Sequence, residues 1–164
     1  MQPEVAHGGS VPHVTPDAIE REIVIDAPPG DVWAIVTEAR HVAGWFSDQA
    51  EIDLRPGGRM ALTWHGHGTY EGRVETVDPP RLFAFRWQTR DGEFSETNST
   101  LVVMTPQAEG TDTRLRVAES GFATLPWDDG ARARYADENA RGWVIELDEL
   151  REYAVEVIGA RHGR

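Results

Sequence analysis

The sequence predicts an α+β domain in which an antiparallel sheet of about seven strands packs against one long C-terminal helix. Short segments of alternating apolar and polar residues follow one another between turns rich in Gly and Pro. The stretch from about Ala131 to about Ile158 instead repeats its apolar residues at helical spacing. At 1.5 Å per residue this helix is about 40 Å long, so it would cross the whole sheet.

The first strand and two short helices are expected within residues 19–46. Ile19, Ile23 and Ile25 share one parity, which indicates a half-buried strand running to Ala27. The Pro-Pro-Gly segment that follows ends this strand and suits the entry to a helix. The first helix carries apolar residues at helical spacing: Val32, Trp33, Ile35 and Val36. The second helix is expected over His41–Phe46.

Six more strands and the long helix complete the prediction. The strands are Glu51–Arg55, Arg59–His65, Thr69–Val77, Arg81–Thr89, Glu96–Thr105 and Thr111–Ser120. Asp128 and Asp129 suit the N-terminus of the long helix as caps. One stripe of this helix carries the residues that would pack against the sheet: Ala136, Asn139, Ala140, Trp143, Leu147, Leu150, Ala154 and Val157.

Length and charge narrow the function classes. The 164 residues predict one domain over 18–159, with a flexible tail at 1–17 and a short one at 160–164. The net charge of −12 disfavours nucleic acids and anionic membrane surfaces as partners. No secretory signal or membrane span is apparent, so we expect a cytoplasmic protein. The chain has no Cys and its basic residues are all Arg, which excludes disulfides, thiol nucleophiles and lysine Schiff bases.

Several local motifs together resemble a known superfamily across residues 19–158. They are Ala27-Pro28 with Val32-Trp33, Gly44-Trp45-Phe46, Arg55-Pro56-Gly57-Gly58, Gly72-Arg73-Val74, Val77-Asp78-Pro79-Pro80-Arg81-Leu82, Glu119-Ser120-Gly121-Phe122, and Gly142-Trp143 with Leu147 and Leu150. Their order is similar to that of the START-like, birch-pollen-allergen-like superfamily, also called SRPBCC. Within it they resemble the subfamily of activators of the heat-shock protein 90 ATPase.

The resemblance implies a helix-grip fold, in which a curved sheet wraps the C-terminal helix around an apolar cavity. Relatives bind lipids, hormones or polyketides there, and a few are cyclases or hydrolases. Eukaryotic co-chaperones of the subfamily carry a further N-terminal domain, whereas only about 18 residues precede the first strand here. We therefore expect the single-domain, bacterial type, and do not take the subfamily name as the activity.

Aromatic residues are the candidates for lining this cavity. Met60, Leu62 and Trp64 alternate on one predicted strand, and Phe83, Phe85 and Trp87 do so on another. Ordinary core packing would also explain any one of them. The predicted ligand-binding residues are Trp45, Phe46, Leu62, Trp64, Tyr70, Phe85, Trp87, Trp143, Glu146 and Leu147.

Glu146 is the candidate acid or base, because it lies with Asn139 and Tyr153 along one edge of the buried helix stripe. Desolvation there would raise the pKa of its carboxyl. The alternatives are that Glu146 turns outward or pairs with Arg86 or Arg116.

His65 and His67, with Glu71 nearby, could provide metal ligands, but the flanking glycines favour solvated turn residues. No nucleophile elbow, dinucleotide-binding fingerprint or P-loop is present, and we expect neither a metal nor a cofactor.

Three functions follow in order of preference. The first is non-catalytic binding of a small hydrophobic or aromatic molecule between the sheet and the C-terminal helix. The second is a polyketide cyclase-like or hydrolase-like enzyme that uses an acid or base in the same cavity. The third is a protein-interaction module acting on a chaperone or a regulator. A homodimer is a further expectation.

Overall fold

Seven antiparallel strands and three α-helices make up the described part of the chain, residues 17–89 and 92–162, in a computed structural model. The strands are β1 (Ala18–Ile25), β2 (Gln49–Ile52), β3 (Arg59–Trp64), β4 (Gly68–Asp78), β5 (Leu82–Gln88), β6 (Ser99–Glu109) and β7 (Asp112–Ser120). The helices are α1 (Pro29–Thr37), α2 (Ala39–Trp45) and α3 (Asp129–His162), and a 3₁₀ helix covers Phe122–Thr124. The strand order is β1-β7-β6-β5-β4-β3-β2. The predicted α+β helix-grip fold is confirmed.

One apolar core joins the inner face of the sheet to the helices. The predicted inward residues of β3 and β5 belong to it together with Trp143 and Leu147 of α3. A smaller cluster of Phe122, Leu125, Tyr135 and Ala136 joins the 3₁₀ helix to the start of α3. The N-terminal half of α3 therefore lies where the two clusters meet.

The predicted helix starts follow their local chemistry. Pro29 occupies the first turn of α1, where its missing N–H costs no hydrogen bond. Asp128 caps α3, because its Oδ1 accepts a hydrogen bond of 2.8 Å from the backbone N of Ala131.

The predicted end of β6 at Thr105 is wrong. This strand continues through Pro106 to Glu109, where it pairs with β7 alone because the pairing with β5 ends at Met104. A proline has no N–H, so it is tolerated in a strand where it has no neighbouring strand on one side to donate to, as at Pro106 beyond the end of β5. The predicted start at Glu96 is also early, since the 95–98 segment forms a turn closed by a hydrogen bond from Asn98 N to Ser95 O.

Two ends of the chain differ from the prediction only in extent. Helix α3 continues to His162, about one turn beyond Ile158, which still packs in the core. Residues 163–164 and the predicted N-terminal tail up to residue 16 lie outside the described residues. Across those described, no helix combines the length and the apolarity that a membrane span requires.

Candidate functional site

A continuous network of aromatic rings crosses the interior from α2 to the β3–β4 hairpin. Its centre is Phe46, which stacks on Trp87 and Trp143 at centroid distances of 5.5 and 5.6 Å. Trp64 and Tyr70 extend the network toward solvent, with their centroids 5.5 Å apart. All seven aromatic residues that the sequence predicted for the site belong to the network: Trp45, Phe46, Trp64, Tyr70, Phe85, Trp87 and Trp143.

A pocket opens where this network reaches the surface, between strands β3 to β5 and the N-terminal half of α3. Its volume is about 220 Å³. Its walls are Trp64, His67, Tyr70, Trp87, Gln88, Tyr135 and Asn139. Three of the predicted ligand-binding residues, Trp64, Tyr70 and Trp87, therefore line an open site.

Four other predicted residues surround a region that is almost filled. Trp45, Phe46, Leu62 and Phe85 line an interior void of about 10 Å³ between the sheet and helices α1 and α2. A void of that size holds at most about one water molecule. Trp143 and Leu147 are 3% and 1% exposed and belong to the apolar core.

Behind the pocket wall lies a buried carboxylate, Glu119 of β7, with 0% of its surface exposed. Its Oε1 accepts hydrogen bonds from Trp143 Nε1 at 2.9 Å and Asn139 Nδ2 at 3.2 Å. Its Oε2 accepts from Thr100 Oγ1 at 2.6 Å, Trp87 Nε1 at 3.0 Å and Asn139 Nδ2 at 3.0 Å. All these donors are neutral, so hydrogen bonds alone hold the carboxylate.

Two opposing effects act on the Glu119 carboxyl. Burial raises its pKa, because the charged form is separated from water. The hydrogen bonds from Thr100, Trp143, Trp87 and Asn139 oppose that shift. Indole N–H groups donate but cannot accept, so each carboxyl oxygen of Glu119 serves as the acceptor for one tryptophan.

Sequence reasoning used Glu119 only as part of a family motif and missed it as a site residue. A signal was present, because Glu119 shares the parity of Leu115 and Val117, both buried on the inner face of β7. An acidic residue in an inward position needs hydrogen-bond donors, and Trp87, Asn139 and Trp143 were already assigned to inward positions.

Glu146 lies apart from the pocket. Its Oε1 is buried and has no hydrogen-bond partner within the described residues. Burial, with a smaller contribution from the negative charge of Glu149, raises its pKa to about 7. The arginines considered as partners bind elsewhere: Arg86 contacts Ser99 and Glu96, and Arg116 contacts Glu20.

The other two residues on that edge of α3 have separate partners. Asn139 reaches Glu119, as described above, whereas the Tyr153 hydroxyl lies 2.7 Å from Nδ1 of His41 in α2. Tyr153 therefore joins α3 to α2, some distance along the helix from the pocket.

The two candidate histidines of the β3–β4 turn are exposed to solvent. The nearest acid to His65 is Asp48, with Nδ1 and Oδ2 3.7 Å apart, and not Glu71, which pairs with Arg59. His67 lies in the pocket wall.

A second concavity, of about 590 Å³, lies on the outer face of the sheet. Its two arginines are already paired with glutamates: Arg59 with Glu51 and Glu71, and Arg73 with Glu75 and Glu96. The positive charges of this concavity are therefore already neutralised by glutamates, which leaves little attraction for an anionic ligand.

Several solved structures resemble the fold of this chain. Protein MLL2253 from Mesorhizobium loti has a similar structure, with a TM-score of 0.70, 21% identity, and 83% of this chain and 95% of that one covered. CalU16 from Micromonospora echinospora gives a TM-score of 0.64, 25% identity, and coverage of 84% and 75%. The Aha1 dimer from Colwellia psychrerythraea gives 0.67, 15% identity, and coverage of 82% and 93%.

At 15% and 21% identity such likeness shows the fold alone. None of the curated proteins matches this chain. The sequence of residues 26–154, however, matches one family model. Because this match spans most of the chain, the protein belongs to the family described as Activator of Hsp90 ATPase homolog 1-like protein.

Proposed function

We propose that this protein binds a small, flat aromatic molecule in the pocket between strands β3 to β5 and the N-terminal half of α3. The observation that carries the proposal is an open volume of about 220 Å³ whose walls include Trp64, Tyr70 and Trp87. Aromatic walls with a few polar groups are typical of small-molecule sites. This pocket supports a ligand site at one end of the sheet–helix interface.

The volume limits the size of the ligand. An apolar cavity of about 150 Å³ is large enough for benzene, and drug-sized ligands occupy about 300–1,000 Å³. A volume of about 220 Å³ therefore suits one substituted ring or two fused rings. Burial of the ligand's apolar surface would drive binding.

Isothermal titration calorimetry with 2-naphthol tests the proposal. Tyr70→Ala should weaken binding at least about fivefold, because an aromatic contact contributes about 1 kcal/mol. The matched control is Tyr153→Ala, which makes the same change at the contact between α2 and α3, away from the pocket. We expect this control to lose stability and to keep its affinity. No measurable binding to the wild type, or equal weakening by both variants, would contradict the proposal.

Native mass spectrometry of freshly purified protein would identify a natural ligand. A reproducible extra mass that disappears on denaturation is the expected result. The same spectrum reports the number of chains, and so tests the homodimer expected from the sequence.

The family match favours a second candidate function, interaction with a chaperone of the Hsp90 type. The test is the ATPase rate of Hsp90 as the purified protein is added. A saturable increase would support this function, and a flat response over a wide concentration range would remove it. A cyclase-like or hydrolase-like enzyme would need an acid or base in this pocket, and Glu146, the candidate from the sequence, is not among the lining residues.

A further inference from the structure

Asn139 contributes to both the buried carboxylate and the pocket wall. Its Nδ2 contacts both oxygens of Glu119, at 3.2 and 3.0 Å. Its Oδ1 has no hydrogen-bond partner among residues 17–89 and 92–162, and the residue lines the pocket. The amide nitrogen is therefore occupied by Glu119, and the amide oxygen is the atom left to accept a hydrogen bond from a ligand.

The carboxyl oxygens of Glu119 fix this orientation. Each of them accepts a hydrogen bond from a tryptophan N–H, so an inverted carboxamide would place Oδ1 of Asn139 against two acceptor oxygens. Because the two tryptophan N–H groups also converge on Glu119, the carboxylate has little freedom to turn away. The buried carboxyl group thus determines which atom of Asn139 is left for the pocket.

Most other polar atoms of the pocket wall already have partners. Trp64 Nε1 donates to the carbonyl of Phe46, and Trp87 Nε1 donates to Thr100 and Glu119. Gln88 accepts from the backbone N of Glu71 through Oε1 and donates to the carbonyl of Gly92 through Nε2. Asn139 Oδ1 is therefore a fixed acceptor in the pocket wall, while the Tyr70 and Tyr135 hydroxyls and the His67 ring can each donate or accept.

We propose that Glu119 is a positioning residue that holds the Asn139 carboxamide oxygen toward the pocket, so that the pocket selects flat aromatic molecules bearing an O–H or N–H donor. This inference rests on the proposed function and names the ligand class of that site. Phenols and N–H heteroaromatics have the required chemistry. Ethers and esters of the same shape lack the donor and would leave Oδ1 desolvated without a partner.

A matched pair of probes isolates this hydrogen bond. 2-Naphthol and 2-methoxynaphthalene share the ring system, and only the first has a donor. We expect the wild type to bind 2-naphthol about tenfold more tightly, which is the effect of one well-formed buried hydrogen bond. The ratio of the two dissociation constants is the readout, because a general loss of structure weakens both probes alike.

Glu119→Gln should reduce this preference to less than about twofold or reverse it. Asn139 contacts both carboxyl oxygens, so the new NH₂ group replaces one of these two acceptors whichever way the glutamine is placed. Because an NH₂ group donates and does not accept, it favours the inverted carboxamide, which accepts through Oδ1 and directs Nδ2 into the pocket. Thr100→Val is the matched control, because it removes one donor to Glu119 and leaves the Asn139 contacts in place. This control should keep the wild-type preference.

Asn139→Leu is a second variant, for use if the Glu119 change prevents folding. It removes the acceptor and keeps a similar volume, so both probes should bind with equal affinity. A measurement without ligand tests the orientation itself. The Nδ2 of Asn139 and the Nε1 of Trp143 donate to the same Glu119 oxygen, so nuclear Overhauser contacts between their hydrogens are expected in the wild type.

The outcomes separate this inference from the function on which it rests. If neither probe binds the wild type, the proposed function fails and the ligand class fails with it. If both bind equally well, the pocket functions and only the inference is overturned. An unchanged preference in folded Glu119→Gln, or the absence of the Asn139–Trp143 contact, overturns the role of Glu119.

Discussion

Glu119 and Glu146 differ in what surrounds their carboxyl groups. Both oxygens of Glu119 accept hydrogen bonds, whereas one oxygen of the partly buried Glu146 is buried without a partner within the described residues. A desolvated charge without hydrogen bonds destabilises the folded state. Ionisation of Glu146 should therefore oppose folding.

Glu146→Gln should stabilise the protein at about pH 8 and have little effect at about pH 5. The pKa of Glu146 is about 7 in the folded state, against an ordinary value of 4.5. Between these two pH values the folded state therefore binds more protons than the unfolded state does. Stability therefore falls as pH rises through this window. After allowance for partial exposure, we expect a gain of about 1–2 kcal/mol at the higher pH. Urea unfolding at both pH values measures it.

Glu152→Gln is the control for this prediction. Glu152 is exposed, so removing its charge should change the free energy of unfolding by a similar small amount at both pH values. An equal gain from Glu146→Gln at both pH values would show that its charge is not the cause.

At this scale the sequence predicts apolar positions better than polar ones. Strand parity placed Trp64, Phe85 and Trp87 on the inward face correctly, because successive side chains of a strand point to opposite faces of the sheet. Parity also assigns Glu119 to the inward face, but its donors come from β5, β6 and α3, and only the folded chain brings them together. Similarly, parity does not distinguish a pocket wall from a packed core.

At the scale of elements, the contact between α2 and α3 depends on Gly44, which has no side chain. A Cβ on Gly44 of α2 would lie 2.4 Å from Cε1 of Tyr153. That ring cannot move without losing the hydrogen bond of 2.7 Å between its hydroxyl and His41. The glycine therefore allows the two helices to approach closely enough for this hydrogen bond to form.

Gly44→Ala should destabilise the protein by about 1–3 kcal/mol. Alanine favours a helix by up to about 1 kcal/mol over glycine, but overpacking costs about 1–3 kcal/mol and a lost hydrogen bond about 1 kcal/mol more. Thermal or urea unfolding measures the change.

Two comparisons check the cause. Gly142→Ala in α3, where the added Cβ meets open space, should stabilise the protein. In a Tyr153→Ala background, Gly44→Ala should also become stabilising. A destabilisation that persists without the tyrosine ring would contradict the proposed clash.

The observed ends of the strands and helices lie at most four residues from the predicted ones. The long helix and the strand order follow from hydrophobic periodicity and turn chemistry, which are local. The end of β6 does not, because whether Pro106 can remain in a strand depends on how far β5 extends beside it.

On the scale of the whole molecule, packing and the open pocket occupy different parts of the interface between the sheet and α3. The pocket meets α3 at Tyr135 and Asn139. The fully buried Leu150 lies in the core, 11 residues further along the helix, which is about 16 Å from Asn139. Stability and ligand binding should therefore respond to different substitutions.

Leu150→Ala should lower the free energy of unfolding by about 3–5 kcal/mol, because it leaves a cavity in a tightly packed core. The affinity for 2-naphthol, measured at low temperature where the variant is folded, should stay within about twofold of wild type. Tyr70→Ala should show the opposite pattern, with weaker binding and a smaller loss of stability, because its side chain is only half buried. If folded Leu150→Ala loses affinity as strongly as Tyr70→Ala does, then α3 transmits core packing to the pocket and the two regions form one unit.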